Sequence, residues 1–228
     1  MTATLEEQVC AGEREWMALY LEGPRARTPD TVLIAGDEAP DFTFEDHTGA
    51  SIRLSDFWSG GPALVIFWRH FGCPCGFRRA ARLRREYAAL VEAGASVVIV
   101  GQGEPARAAA YREKFNLPCP ILCDPDLDAY DAYGLGDWEA KQVLYAAARL
   151  PRGPRMGKMM QRMGRLTGRP VVDHPWLSTG EFVIDTDGTI RFTHRYGHCM
   201  DYPSRSDLVA ATRDAAEEPA GVGTAPLA

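Results

Sequence analysis

The chain has 228 residues, 46% of them apolar and 25% charged, with a formal net charge of −6. That balance fits a soluble globular protein of one embellished domain, or at most two small ones, and argues against nucleic acid as the main partner. No window approaches the ~20 apolar residues of a membrane span, and the acidic start Met1-Thr2-Ala3-Thr4-Leu5-Glu6-Glu7 has no apolar signal-peptide core, so a cytoplasmic protein with mostly reduced thiols is expected.

Residues Leu5 to Leu21 carry a helical pattern, with Thr4 as N-cap and Glu7 three residues on. Gly23-Pro24 ends it, a linker follows, and Thr31 to Ala35 reads as a short strand or an extended lead-in. Residues 1–35 are thus expected to be a helical extension and linker. Phe42 to Phe44 and Ser51 to Leu54 flank a polar stretch closed by Gly49, a hairpin pattern. Ala63 to Trp68 is an apolar, β-rich run of the kind that is buried on both faces. Phe77 to Ala93 then reads as a helix with Phe77, Leu83, Tyr87, Leu90 and Val91 as its apolar face, stopped by Gly94.

Two cysteines, Cys73 and Cys75, fall in the turn between that strand and that helix. Unpaired amide groups and the helix dipole stabilise an anion at a helix N-terminus, so a thiol there is biased toward thiolate, its reactive form. Arg69, Arg78, Arg79 and His70 would push the same way. Small packed hydrophobes are the bland alternative, but two cysteines separated only by Pro74 and surrounded by basic residues favour reactive thiol chemistry.

Ala95 to Val100 is a second apolar strand, Glu104 to Phe115 a helix begun near Pro105, Pro120 to Asp124 a short strand, and Leu127 to Tyr133 a helical turn. Near the C-terminus, Glu181 to Asp185 and Thr189 to Phe192 flank an Asp187-Gly188 turn, a hairpin pattern. Ser206 to Ala215 reads as the closing helix and residues 216–228 as a flexible tail. Strands alternating with helices imply a sheet with a parallel centre. An insertion at about residues 137–170 interrupts the pattern with a helical Trp138 to Leu150 and a basic, Met-rich part. A lid, a docking surface or an anionic-substrate site are its functional readings, and a solvated amphipathic insertion is the plain one. The acidic series Asp124, Asp126, Asp128 and Asp131 is explained by N-capping and dipole compensation. Gly101-Gln102-Gly103 is only a fragment of a dinucleotide motif.

The run Gly36-Asp37-Glu38-Ala39-Pro40-Asp41-Phe42, the later Asp46-His47-Thr48-Gly49 and Leu54-Ser55-Asp56-Phe57, the strand into Cys73, and Phe182-Val183-Ile184-Asp185-Thr186-Asp187-Gly188 together resemble the alkyl hydroperoxide reductase/thiol-specific antioxidant (redoxin) family. Phe67 to Pro74, Leu117 to Asp126 and His194 to Pro203 are most similar to its peroxiredoxin-like branch related to selenoprotein U, which has a Cys-Pro-x-Cys site. The resemblance implies an α/β thioredoxin-like fold over residues 36–215, a central mixed sheet flanked by helices. Cys73 matches the first family cysteine, but Gly76 stands at the second and Cys75 at the variable position. Ile66 and His70 stand where typical peroxiredoxins have a Pro and a Thr, and Ser178-Thr179-Gly180-Glu181 where they have an Arg.

The expected function is a thiol-dependent oxidoreductase, with Cys73 attacking a peroxide or disulfide, Cys75 as the nearest resolving thiol, and Arg69 and His70 beside them. Cys119, Cys123 or Cys199 could resolve instead. No cofactor or metal is required for this; the partners are a small-molecule peroxide or disulfide and a reducing thiol or thioredoxin-like protein, with no nucleic acid or membrane, and a homodimer is one expected assembly. Two other readings stay open. A zinc or iron–sulfur protein would draw on the cysteines with His194 and His198, although their spacings are weak as ligand pairs. A redox-inactive binding module would keep the fold alone.

Overall fold

The computed structural model describes residues 27–71, 74–139, 174 and 176–217. The expected N-terminal helix, Cys73, all but the first residues of the insertion, and the tail beyond Glu217 lie outside these. Seven strands form one sheet: β1 (Thr43–Asp46), β2 (Ser51–Arg53), β3 (Ala63–Phe67), β4 (Ser96–Gly101), β5 (Ile121–Cys123), β6 (Gly180–Ile184) and β7 (Ile190–Arg195). Their spatial order is β2-β1-β5-β4-β3-β6-β7. The β3–β4 and β4–β5 pairs are parallel, while β1–β2, β1–β5, β3–β6 and β6–β7 are antiparallel. The sheet is therefore mixed with a parallel centre, as expected.

Among the described residues the α-helices are α1 (Pro74–Glu92), α2 (Pro105–Phe115), α3 (Asp128–Ala132) and α4 (Arg205–Glu217). They cover both faces, which is why β3 can be apolar throughout. Side chains alternate across a strand, and Ala63, Val65 and Phe67 join one core while Leu64, Ile66 and Trp68 join the other. The first core is closed by Tyr130, Tyr133 and Leu54, the second by Ala80, Leu83 and Leu90 of α1 with Leu208 and Ala215 of α4. Val91, expected on the apolar face of α1, is instead exposed; Ala80 takes the inward place one turn before Leu83. Each buried Leu or Ile contributes roughly 1.5–3 kcal/mol, so this double core is what fixes β3 and hence the turn that follows it.

Local chemistry sets the turns. In the β1–β2 hairpin Asp46 accepts hydrogen bonds from Thr48 N (2.7 Å), Thr48 Oγ1 (2.6 Å) and Ala50 N (3.1 Å). Burial alone would raise the Asp46 pKa, but these donors outweigh it and hold the carboxyl below its usual value. Asp124 caps α3, accepting from the amides of Asp128 (3.2 Å), Ala129 (3.0 Å) and Tyr130 (3.3 Å), the role read from the sequence. Thr31 to Ala35 is an extended lead-in without a strand.

Trp138 and Glu139, where a helix was expected to start, are not helical. The insertion instead leaves through a narrow neck: Trp138 N donates to Trp176 O (2.7 Å), Ser178 N donates to Gly136 O (2.8 Å), and Asp137 bridges Leu177. Backbone pairing between the two ends gives the amides of Trp138 and Ser178 their partners. Among the described residues no helix is long and apolar enough to cross a membrane.

Candidate active site

Strand β3 ends beside β4 in the sheet's parallel centre, and its continuation, Trp68 to Phe71, runs on past the end of β4, with Phe71 against Gly101 and Gly103. Trp68 N extends the ladder by donating to Val100 O (2.7 Å), and Tyr130 Oη donates to Trp68 O (2.5 Å). The Gln102 side-chain amide donates to Arg69 O. Gly101 and Gly103 flank that glutamine for a packing reason: a Cβ at either would meet the Phe71 ring, at 2.8 Å and 2.5 Å respectively. The glycines that suggested a dinucleotide motif thus make room for an aromatic ring that anchors the turn.

Cys75 lies in the first turn of α1, is 6% exposed, and is disulfide-bonded. Its carbonyl accepts a hydrogen bond from Tyr202 Oη (2.7 Å). Arg69 Nη1 approaches Cys75 Sγ at 3.8 Å, and the Arg69 guanidinium stacks over Trp138, 5.5 Å from the ring centroid. Trp138 in turn donates from Nε1 to Tyr196 O (3.1 Å). A cation held on an aromatic face beside a sulfur stabilises negative charge there, and burial strengthens the effect. His70 is buried next to Arg69 but does not line the cavity at Cys75.

That cavity, of about 20 Å³, is lined by Cys75, Arg69, Arg79, Tyr196, Cys199 and Tyr202 among others. It has room for about one water-sized molecule. Cys199 was one of three alternative resolving thiols by sequence, and the fold brings it, of those three, into a shared buried cluster with Cys75, Trp138 and Tyr196. Cys119 and Cys123 are buried in the second core instead. Burial pushes the thiol of each up to about 12, Arg112 opposing it at Cys119 and the Asp46 and Glu104 carboxylates reinforcing it at Cys123. Burial also raises the Cys199 thiol, while the Arg69 charge acts against that rise.

Arg78 and Arg79 depart from their expected roles. Arg78 is exposed, with Nη1 3.4 Å from Met200 Sδ. Arg79 is 3% exposed and forms a bidentate pair with Glu181, Nε to Oε1 at 2.7 Å and Nη2 to Oε2 at 2.8 Å, plus Nη1 to Glu86 Oε2 at 3.1 Å. Burial works against charge on Arg79, but the Glu181 carboxylate outweighs it and raises its pKa. The Tyr196 hydroxyl donates to Glu181 as well, and its pKa is driven far up by burial and then by that carboxylate. Arg79 is therefore committed to carboxylates below the cavity, leaving Arg69 as the cation beside Cys75. Sequence reasoning passed over Glu181; the available signal was an acidic residue opening an otherwise apolar strand, which demands a buried partner.

Gly76 also has a structural reason. A Cβ there would lie 2.8 Å from Tyr111 Oη and 3.0 Å from Trp68 Nε1, two groups joined by a 3.1 Å hydrogen bond. A side chain at 76 would have to displace that pair, which fits glycine rather than cysteine at this position.

Two further expectations meet the structure here. Among the described residues no group of three or more His, Cys, Asp and Glu is placed to hold a metal ion; His194 Nε2 is engaged with Asp201 O at 2.9 Å. His174, which had no chemical neighbour in sequence, has its Nε2 2.6 Å from Asp137 Oδ1 and its backbone bonded to Gln102.

The profile of the AhpC/TSA family matches residues 35–193. A protein of Mycobacterium tuberculosis assigned as a peroxiredoxin is 34% identical over 119 residues, 51% of this chain and 75% of that one. The thiol-disulfide oxidoreductase ResA of Geobacillus thermodenitrificans is 31% identical over 110 residues, 48% of this chain and 62% of ResA. Among solved structures, the peroxidoxin BcpB of Mycobacterium tuberculosis superposes with a TM-score of 0.57 at 21% identity, covering 79% of this chain and 96% of BcpB. The chain belongs to the AhpC/TSA family, on a thioredoxin-like fold that supports thiol-dependent redox chemistry.

Proposed function

We propose that this chain reduces peroxides or disulfides through Cys73, with Cys75 as the resolving thiol and Arg69 as the cation that steadies the sulfur charge. The observation that carries the proposal is the disulfide-bonded Cys75 in the first turn of α1, its sulfur 3.8 Å from the Arg69 guanidinium. With a peroxide, the Cys73 thiolate attacks one oxygen, the O–O bond breaks, an alcohol or water leaves, and Cys73 becomes a sulfenic acid. The Cys75 thiol then attacks that sulfur, water departs, and a Cys73–Cys75 disulfide forms. A bond between residues i and i+2 is geometrically tight, which favours its reduction. Two equivalents of a small thiol, or a thioredoxin-like dithiol, return both cysteines to the reduced state. His70, beside Arg69, is carried as a tuning residue for the same thiol.

Iodoacetamide trapping of the reduced protein across pH, before and after one equivalent of hydrogen peroxide, tests the proposal. Cys73 should alkylate with a pKa below the ~8.5 of a free thiol and vanish into a mapped disulfide after peroxide. An ordinary Cys73, untouched by peroxide, sinks it and favours the binding-module reading, whereas a Cys73→Ser variant with full turnover sinks Cys73 as the nucleophile. The residues Phe67 to Pro74 and His194 to Pro203 support placement in the branch related to selenoprotein U. We carry forward residues 36–215 as the folded unit, a cytoplasmic location and a homodimer; limited proteolysis, cell fractionation and analytical ultracentrifugation decide them.

A further inference from the structure

We propose that Cys199 is a third redox thiol, which takes Cys75 over from its existing disulfide and moves the oxidised bond into the buried cluster beneath α1. The inference rests on the reading of Cys73 and Cys75 given above and adds a residue to it.

Three observations converge on Cys199. It carries a thiol, while Cys75 is disulfide-bonded, and the two share one buried cluster with Trp138 and Tyr196. Both line the same cavity of about 20 Å³, room for about one water-sized molecule. Arg69 serves both sulfurs: its Nη1 is 3.8 Å from Cys75 Sγ, and its charge favours the Cys199 thiolate against the cost of burial. One cation thus acts on both the attacking and the attacked sulfur, and it raises the fraction of attacking thiolate on which exchange depends. The loop is also held in place. Tyr196 N donates to Thr179 O (2.9 Å), Gly197 N to Asp201 Oδ2 (2.8 Å), and Tyr202 Oη to Cys75 O (2.7 Å), so the segment carrying Cys199 is tied directly to the turn carrying Cys75.

The step balances without an added oxidant or reductant. Cys199 Sγ, as thiolate, attacks Cys75 Sγ and a Cys75–Cys199 bond forms. The earlier bond to Cys75 breaks, and its other sulfur, that of Cys73 in the reading above, leaves as a thiolate that accepts the proton Cys199 gave up. One disulfide replaces another, and the first nucleophile is regenerated while the oxidising equivalent waits in an apolar, water-poor place. The same external thiols that reduce the first disulfide reduce the second.

Peptide mapping of the intact chain decides the matter. Reduced protein is treated with one equivalent of hydrogen peroxide, quenched with iodoacetamide after timed incubation at about pH 7 and about pH 9, and digested with trypsin without reduction. Cleavage after Arg69, Arg78, Arg195 and Arg205 releases segments 70–78 and 196–205. The expected product is a 70–78/196–205 disulfide with Cys75 as the linked sulfur in the fragment ions, forming up to about tenfold faster per pH unit while the Cys199 thiolate is scarce. In Cys199→Ser and Cys199→Ala, either of which suffices if the other folds poorly, segment 70–78 should keep an internal disulfide only. If the unsubstituted protein also shows only that internal disulfide at both pH values, the relay is overturned and the Cys73–Cys75 mechanism stands. A link from Cys73 to Cys199 overturns the relay too, since Cys199 would then resolve Cys73 directly. Absence of any disulfide in segment 70–78 overturns the thiol mechanism and the relay together.

Discussion

Among the described residues cysteine sulfur is buried in two places, and the two differ in what surrounds it. Cys119 and Cys123 sit in the core between the sheet and α1 and α2, where desolvation pushes both thiols up to about 12. Cys75 and Cys199 sit around a small cavity at the N-terminal end of α1, with the Arg69 guanidinium against the one and acting on the other. Burial alone silences a thiol, because the thiolate loses its hydration. Burial with a dedicated cation keeps the thiolate within reach while excluding water. Arg79, which lines the same cavity, is engaged instead by Glu181 and Glu86.

The sharpest way to break that contrast is to free Arg79. In Glu181→Ala the guanidinium stays buried without its bidentate partner, and loss of one partner of a buried ion pair costs about 3–5 kcal/mol. Urea unfolding should show a lower midpoint at unchanged slope, the shift multiplied by the slope giving that amount. A midpoint close to that of the parent would mean that the pair is not what holds the floor of the cavity.

Next in size is an attempt to restore the family spacing. Cys75→Gly combined with Gly76→Cys places a side chain against Tyr111 Oη and Trp68 Nε1, and overpacking of this kind costs about 1–3 kcal/mol. Thermal unfolding should show the loss, and Gly76→Ala alone should show most of it. A double variant as stable as the parent would contradict the steric account of the shifted cysteine.

Removing the cation tests the electrostatic half of the comparison. Arg69→Met keeps the stem and deletes the charge, so the reactive thiol should titrate about one unit higher, which is about tenfold lower thiolate at neutral pH. The pH profile of iodoacetamide alkylation measures this. Cys119 and Cys123 should alkylate slowly in both proteins, and an unchanged profile at the site would remove Arg69 from its assigned role.

The smallest effects belong to the silent thiols. Cys119→Ala should leave peroxide turnover within about twofold, since Cys119 lies in the second core and does not line the cavity at Cys75. Its influence appears at alkaline pH. The native thiol titrates near 12 against an ordinary value of 9.0, so the native state holds a proton that the unfolded state releases. The stabilisation is complete below pH 9.0 and is lost as pH rises toward 12, at up to about 1.4 kcal/mol per pH unit. Urea unfolding of Cys119→Ala should therefore decline less steeply across that window, and an equal decline would place the raised pKa elsewhere.

Elements whose pattern is local were legible in the amino-acid order. The apolar run into β3, the Asp-Gly turn of the β6–β7 hairpin, Gly94 after α1 at φ 103° and the Asp124 cap of α3 each draw their signal from residues within a few positions. The nearness of Cys75 to a helix N-terminus was legible too, although the expected helix began at Phe77 and α1 begins at Pro74, which takes Cys75 into its first turn. What sequence could not reach was every relation between distant segments: Arg79 with Glu181, 102 residues apart, Tyr202 with Cys75, 127 apart, and Cys199 beside Cys75 around a shared cavity. Periodicity reports which way a side chain points but not what it meets. Arg78 and Arg79 look alike beside the cysteines in sequence, yet a rotation of 100° along α1 sends one to the surface and the other into the core. The amino-acid order alone determined the thiol's neighbourhood on a helix N-terminus, through hydrogen-bond and dipole effects that act within one turn. Only the tertiary structure decided which cation and which second thiol face it, because those are chosen by the packing of β6, the loop after β7 and the turn before α1 around one buried space.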